Sequence, residues 1–472
     1  MNAPLMTVVT LFFSAFLLSA QTFHVLYNFT GSPGPYPQGK LMLSSNLLYG
    51  TSIGGGSSGW GAVFTINTNG TGYRVIKSFS APTANSSGIY TNSDGGEPYA
   101  GLISDGSSLY GTTFEGGSGG RGTVFALKLD ETDFTVLNNF NGTNGKAPYA
   151  GLILSSNILY GTTAAGGISN KGTVFQVNTD GTGFALIKSF VITDGLLPMG
   201  SVVLSGGTLY GATYDGGISN RGTIFSVNTD GNGFTVLKNF NSGDGTQPHS
   251  GLLLYGNTLF GTTDGSRILS NSIVFKINTD GTGYAVLKRF SDIDPVYGTN
   301  ADGSYVRAGL ALWNGVLYGT AQWGGVFGSG VVFKMNPDGS GYAVLKHFSA
   351  TTYSNGNFIN ADGAMPLADL MVADGVLYGT TRYGGPYGVG TLFSLTIPPT
   401  PALQTTNIGS HPVIFWANDG LNRTLQTAPD LVSGNWTSVP ALNWTNASVK
   451  PQKIGYQITD SMNHPGGFFW LK

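Results

Sequence analysis

The sequence predicts an all-β fold: a seven-bladed β-propeller of four-stranded blades, closed by an N-terminal strand and followed by a small C-terminal β-sandwich-like module. Three observations predict it. A unit of about fifty residues is written seven times, a period in the range of propeller blades. The composition is that of short aromatic strands and tight turns, with 74 Gly, 28 Phe and 22 Tyr in 472 residues. The last unit lacks a strand, and a strand of the matching pattern stands unattached near the N-terminus.

The repetition is close to literal in the middle of the chain. "LYGTTAAGGISNKGTVFQVNTDGTGF" at 159–184 returns as "LYGATYDGGISNRGTIFSVNTDGNGF" at 209–234. The Leu of the "LYGT" element falls at Leu48, Leu109, Leu159, Leu209, Leu259, Leu317 and Leu377. The Phe of "GTVF" falls at Phe64, Phe125, Phe175, Phe225, Phe275, Phe333 and Phe393. A closing Phe falls at Phe29, Phe79, Phe140, Phe190, Phe240, Phe290 and Phe348. From "LYGT" Leu to closing Phe is 31 steps in all six units that hold both, and from the opening Pro (Val306 in one unit) to the next "LYGT" Leu is always 11. Length varies only between the closing Phe and the opening Pro: 8 steps in four units, but 19, 16 and 18 after Phe79, Phe290 and Phe348.

Each unit reads as four strands, exemplified by "GLILS", "NILYGTT", "GTVFQVN" and "FALIKSF". Asn157 marks a tight turn between the first and second, and "NTDGTG" at 178–183 an Asp-Gly hairpin loop between the third and fourth. Val174, Phe175 and Val177 cannot all face one way, so both faces of each sheet are expected to be buried. A straight solenoid would share the repeat. The chain ends of the array decide for a ring: the seventh unit stops after "GTLFSL", and "TFHVLYNF" at 22–29 supplies a fourth strand with no first three before it. Pairing the two leaves no open sheet edge in the last blade.

Only 10% of residues are charged and the formal net charge is −2, which excludes the basic field that nucleic acid or an anionic membrane requires. Residues 1–20 contain an apolar run from Leu5 to Leu18 followed by Ser19 and Ala20, expected to be a signal peptide cleaved after Ala20, although no Lys or Arg precedes the run. The mature chain is then secreted or displayed at the cell surface, with no later segment able to cross a bilayer as a helix and no hydrophobic tail. The chain has no Cys, so stability must come from burial without disulfides. The expected division is signal peptide 1–20, propeller 21–397 and C-terminal β module 398–472, in a monomer.

With the unit laid out, "GLILSSNILYGTTAAGGISNKGTVFQVNTDGTGFALIKSF" resembles the GloVer tandem-repeat family of exported bacterial proteins, over about residues 22–395. The resemblance implies an exported, repeat-built protein joined to a C-terminal anchoring module, and it implies no chemistry. One unit departs with "GTTDGSRILSNSIVF", which lacks the Gly pair, and another with "LDETDF" where the Asp-Gly turn belongs. Residues 401–472 hold four of the seven Trp and none of the repeat. Their "RTLQTAPDLVSGNWTSV" and terminal "GGFFWLK" resemble a small β module that ends exported proteins of similar bacteria, with Trp470 where such modules commonly carry Arg. That resemblance implies attachment or sorting.

In a four-stranded blade the fourth-to-first and second-to-third connections emerge on one face, and here that face collects the long connections 80–97, 291–305 and 349–365. Binding residues concentrate on loops held by rigid scaffolds. The side chains on this face also differ from unit to unit. Those at the two positions before the Gly pair or its equivalent include Glu115, Tyr214, Asp215, Asp264, Trp323, Arg382 and Tyr383, and those one step after the opening Pro position include Tyr99, Tyr149, His249 and Arg307. Aromatics mixed with carboxylates, an imidazole and guanidinium groups suit a polysaccharide, which offers hydroxyls and apolar ring faces. Ordinary loop drift would produce variation as well.

Other chemistries find little support. "NTDGTG" resembles part of a calcium loop, but an EF-hand needs a carboxylate at its twelfth position, where Ser189 stands. Gly166 and Gly167 are not part of a phosphate loop, since no Gly-Lys-Ser or helix follows, and they are expected to allow positive φ and close packing of blades. No metal or cofactor motif is present. A non-catalytic glycan- or surface-polymer-binding propeller is the expected function. The alternatives are a propeller glycoside hydrolase or polysaccharide lyase using the carboxylates of Glu115, Asp215 or Asp264, and a purely structural surface repeat.

Overall fold

The computed structural model describes residues 21–398 except 33, 266–271 and 355, and beyond residue 403 the backbone of six strands. The expected signal peptide and residues 266–271 of the unit lacking a Gly pair therefore lie outside the described residues. Every regular element described is a strand. Seven antiparallel four-stranded sheets correspond one to one with the sequence units. Blade 3 shows the pattern, with strands Ile153–Ser155, Ile158–Thr163, Thr173–Asn178 and Ala185–Ser189 paired in that order. The second and third strands are buried on both faces, as the blunted alternation requires.

Blade 7 is built from both ends of the repeat array. Strand Phe23–Asn28 pairs with strand Thr391–Thr396, with Val25 opposite Phe393 and Phe23 opposite Leu395. The register of this pairing shifts between Val25 and Tyr27. The same shift occurs in the other six blades, as between Leu186 and Lys188 opposite Phe175 and Val174, and each skipped residue is a Leu or Ile. A bulge adds twist and turns one extra side chain. Strand Phe23–Asn28 thus carries the same irregularity as every other fourth strand.

Blades are joined by a ring of Phe pairs. The closing Phe of each blade meets the "GTVF" Phe of the next edge to face, from Phe29 with Phe64 at 5.3 Å through Phe140 with Phe175 at 5.2 Å to Phe348 with Phe393 at 5.4 Å. Phe29, Phe140, Phe175 and Phe348 are among the deeply buried residues. Such pairs contribute about 0.5–1.5 kcal/mol beyond area burial. The "LYGT" glycine explains its own recurrence. A Cβ on Gly161 would lie 2.6 Å from Phe175 Cζ, so only Gly admits the ring that crosses it.

A second junction element lies above each Phe pair. Lys188 Nζ sits 3.8 Å from the centroid of Phe234 in the next blade and 2.7 Å from the carboxylate of Asp194. Lys77 with Asp94, Lys238 with Asp244, Lys288 with Asp302 and Lys346 with Asp362 repeat the arrangement. At two junctions the lysine is replaced. Tyr27 stacks on Tyr73 at 4.0 Å, and in blade 2 Asn138 and Asn144 occupy the Lys and Asp positions. Asn144 keeps the carboxylate's bond to backbone, accepting from the Asn141 N–H, while Asn138 Nδ2 is buried without a partner. The double substitution Asn138→Lys with Asn144→Asp is expected to raise stability by about 1 kcal/mol, and Asn138→Lys alone to lower it, because a half-buried ammonium gains from its carboxylate and ring only when both are present. Urea denaturation of the two variants beside the unsubstituted chain checks this; a stabilising single substitution would refute it.

The "NTDGTG" loops are turns closed by their own side chains. Gly181 N–H donates to the Asn178 carbonyl, and Asp180 accepts from both the Thr182 N–H and its hydroxyl. Gly181 adopts a φ of +85°. Asp180 is committed to the turn and its pKa is lowered by those two bonds. The "LDETDF" variant makes the same turn, with Asp130 accepting from Thr132.

Residues 23–395 form one compact unit, and the segment after them belongs to another. In the latter, Gln404–Ile408, His411–Trp416 and Gly467–Trp470 form one antiparallel three-stranded sheet. Thr437–Ser438, Arg423–Ala428 and Gly455–Asp460 form a second.

Candidate functional site

The first strands of six blades, with Arg307, Gly309 and Leu310 leading into that of blade 6, line a central channel of about 960 Å³. Its mouth on the long-loop face is set by one backbone device repeated in every blade. The residue before the opening Pro, or before Val306, has a positive φ of 53–63° although none is Gly: Tyr36, Glu97, Ala147, Leu197, Gln247, Tyr305 and Met365. Side chains rarely adopt this region, and the cost is of order 1 kcal/mol each. Hydrogen bonds hold them there. Ala147 N–H donates to the Arg121 carbonyl of the preceding blade, and the Ala147 carbonyl accepts from Ala164 N–H of its own blade. Adjacent blades are thereby stapled at this face, and the side chain two residues on is aimed at the channel.

The aimed positions are Gln38, Tyr99, Tyr149, Met199, His249, Arg307 and Leu367, all lining the channel. Their side chains meet across blades. Tyr99 and Tyr149 lie 4.9 Å apart by ring centroid, and Tyr149 meets His249, two blades away, edge to face at 5.4 Å. Tyr214 also meets His249, at 5.9 Å and nearly perpendicular to it. Arg307 Nε donates to the fully buried carboxylate of Asp264 at 3.0 Å, and its Nη2 donates to the Tyr305 hydroxyl at 3.1 Å. Arg382 reaches in from blade 7 to the Gln38 amide, and with that amide oriented oxygen toward the guanidinium, as the donors around it require, Nη1 donates to the oxygen at 2.8 Å. Arg382 makes no ion pair with a carboxylate among the described residues.

Tyr99, Tyr149, Tyr214, His249, Asp264, Arg307 and Arg382 are therefore brought into one group. The remaining sequence-predicted residues stand around it. Tyr383 lies beneath the Arg382 guanidinium at 5.3 Å and beside Tyr36 at 5.5 Å. Asp215 accepts from Gln247 Nε2 at 3.2 Å. Trp323 exchanges backbone hydrogen bonds with Ser304 at the start of blade 6. Glu115 is exposed, and its backbone bridges to Gly96, next to Glu97.

Burial governs the protonation of this group. It pushes the Asp264 carboxyl up to about 7 against the opposing effect of Arg307. It pushes His249 down to about 3, with Arg307 adding to the effect. Burial, then Glu97, hold the Tyr99 hydroxyl up at about 12. His249 ionises less readily folded than at the unfolded value of roughly 6.5, so its contribution to stability is lost as pH falls from 6.5 toward 3. Asp264 acts in the opposite sense: its contribution is present below pH ~4 and is lost as pH rises toward 7. His249→Gln is expected to reduce the fall in melting temperature on acidification from pH 6.5 to 4.5. Asp264→Asn is expected to reduce the loss on going from pH 4 to 7. Calorimetry across pH reads both; unchanged slopes would contradict these environments.

Two features escaped the sequence reading. Glu97 occupies the positive-φ position, and its carboxyl is pushed up by burial and then by Glu115. Lys40 and Asp369 line the channel three steps after their opening prolines, where the other blades have Gly or Ser. Asp369 accepts from the Gly309 N–H at 2.5 Å. Both were visible as unit-to-unit differences, but nothing in the sequence marked those columns as channel-facing. Among the described residues no group of three or more His, Asp or Glu could hold a metal ion, and no helix is long and apolar enough to cross a membrane.

Fold and site together define a repeat-built seven-bladed propeller with a polar, aromatic channel mouth. The chain belongs to the Gloeobacter/Verrucomicrobia repeat family, whose profile matches residues 80–275 and 257–408. No curated protein matches the sequence. Similar solved structures include an oligogalacturonate lyase from Vibrio parahaemolyticus, 10% identical, covering 80% of this chain and 97% of that one with a TM-score of 0.47. They also include the GH74 enzyme of Niastella koreensis, 15% identical, covering 84% of this chain and 59% of that one with a TM-score of 0.47. A chain of a nidogen/laminin complex is 15% identical, covering 55% of this chain and 82% of that one with a TM-score of 0.37. These similarities are too distant to transfer a reaction or a ligand.

Proposed function

We propose that this protein is an exported, non-catalytic propeller that binds a glycan or other surface polymer through its long-loop face, with the channel mouth receiving a saccharide unit. One observation carries the reading: phenol, imidazole, guanidinium and amide groups from all seven blades converge on the mouth, while Asp264 is tied to Arg307 and Asp215 is bonded to Gln247. Ring faces and fixed donors suit sugar rings and hydroxyls. Titration calorimetry with a panel of soluble oligosaccharides tests it. Tyr149→Ala and Arg382→Ala are each expected to weaken binding at least fivefold, with no product released. Absence of saccharide binding by the full chain would defeat the proposal.

A second reading, a glycoside hydrolase or polysaccharide lyase, is favoured by the neighbouring carboxyls of Glu97 and Glu115, one raised by burial and one exposed. Such a split pair is the pattern of an acid and a base in one site. Incubation with the same saccharides decides between them. Release of new reducing ends or unsaturated products, abolished by Glu97→Gln or Glu115→Gln, would replace the non-catalytic reading.

A further inference from the structure

We infer a second saccharide-contacting surface, distinct from the channel mouth: an arc of exposed aromatic side chains across blades 6 and 7, which takes a neutral polysaccharide chain along its length. The inference rests on the glycan-binding reading and adds where the polymer lies and what charge it has.

Of the fifteen exposed large hydrophobic side chains among the described residues, twelve lie on the long-loop face; Leu186, Tyr255 and Val286 are the exceptions. Six of the twelve are aromatic, Tyr90, Tyr297, Phe327, Tyr353, Phe358 and Tyr387, each 50–77% exposed. Four of these six lie on the three lengthened connections, 80–97, 291–305 and 349–365, and the other two on the second-to-third connections of blades 6 and 7. The insertions into the repeat have thus placed aromatic rings on the surface.

The lengthened connections are braced. Asn92, Asn300 and Asn360 play the same part in each: Asn300 Nδ2 donates to the carbonyls of Ser291 and Gly303, and its Oδ1 accepts from the N–H of Gly303 and Gly325. Asn92 and Asn360 repeat all four bonds. Each connection also lies against the second-to-third connection of the following blade. A Cβ on Gly328 would be 3.1 Å from the Tyr297 carbonyl, and one on Gly388 would be 2.5 Å from Asn357 Cβ. The two connections thus pack against each other, and within connection 349–365 Tyr353 packs on Phe358 at 5.2 Å. Preorganised rings lose little entropy on binding.

Charge selects the occupant. The three connections contain no Lys or Arg and are rich in Ser, Thr, Asn and Gly. Asp94, Asp302 and Asp362 are held by lysines of the blades, and Asp294 accepts from the N–H groups of Val296 and Tyr297 within its own turn. An acidic polysaccharide or nucleic acid finds no unpaired cation on these three connections. A neutral polysaccharide stacks its ring faces on the aromatics and meets hydroxyl and amide groups between them.

The test uses the full chain, the triple variant Tyr297→Ala/Tyr353→Ala/Tyr387→Ala, and the mouth variant Arg382→Ala. Affinity electrophoresis is run in gels containing xylan, glucomannan or hydroxyethylcellulose, with polygalacturonate as the acidic comparator, beside calorimetry with short oligosaccharides. The triple variant is expected to retain its melting temperature, to lose at least tenfold in affinity for a neutral polymer, and to bind oligosaccharides within twofold of the unsubstituted chain. Unchanged polymer retardation of the triple variant would overturn the arc while leaving the glycan reading intact. Stronger retardation by polygalacturonate than by any neutral polymer would overturn the charge assignment. Self-association of the unsubstituted chain, abolished in the triple variant and unaffected by polymer, would show that the surface joins copies of the protein instead.

Discussion

Removal of residues 22–29 is expected to abolish cooperative folding of the propeller, rather than to shift its melting temperature by a few degrees. The deletion takes away the fourth strand of blade 7 and leaves strand Thr391–Thr396 as an open, apolar edge. It also takes away Phe29, whose ring seals blade 7 against Phe64 of blade 1, and Phe23, which stacks on Phe393. Truncating one buried Phe costs about 3–5 kcal/mol. Two aromatic rings and one strand together exceed a large part of the 5–15 kcal/mol typical of a domain. The exposed edge adds an aggregation hazard. Circular dichroism and calorimetry of the truncated chain check this, with Phe29→Ala as the milder variant, expected to lose about 3–5 kcal/mol while still folding. A truncated chain that melts at the full-length temperature would remove the basis for closure by this strand.

Gly161→Ala is expected to be among the most damaging single substitutions in the molecule, despite adding one methyl group. Gly161 lies inside a strand without positive φ, so Ala would ordinarily gain about 0.5–1 kcal/mol there. Steric contact reverses the sign. The added Cβ would meet Phe175 Cζ at 2.6 Å and Leu152 Cδ2 at 2.8 Å, and Phe175 is pinned in turn by Phe140 and Phe184. Overpacking of this kind costs about 1–3 kcal/mol and can exceed that where no neighbour can yield. Shrinking the opposing side chain should relieve it, so Gly161→Ala with Phe175→Leu is expected to cost less than the sum of the two single changes. Denaturant midpoints of the four chains test this. Strict additivity would mean that the ring does not set the identity of residue 161.

The ring, the strand count and the position of the lengthened connections were all legible in the sequence, because each depends on spacing. A strand of fixed length between fixed turns leaves a fixed interval, and only loops on one face can lengthen without disturbing it. The candidate site was legible as a set of columns whose residues differ between units, such as Tyr149, His249 and Arg307. The bulge at Ile187 and its counterparts was not, since a skipped residue changes hydrogen-bond register without changing the letters. The Lys–Asp junctions were present as correlated letters in five units. Their meaning required the aromatic ring of the neighbouring blade to be in view.

Sevenfold repetition and its completion by the N-terminal segment follow from order along the chain, because backbone pairing and burial of Phe repeat with the letters that encode them. Which unlike side chains touch does not. Tyr149 meets His249 two blades away, and Arg307 is drawn to Asp264 of the preceding blade, because strained backbone at the start of each blade turns residues toward a common axis. That convergence is a property of the closed circle, where residues about fifty or a hundred positions apart come within one side-chain length of each other, and it exists only once the circle has formed.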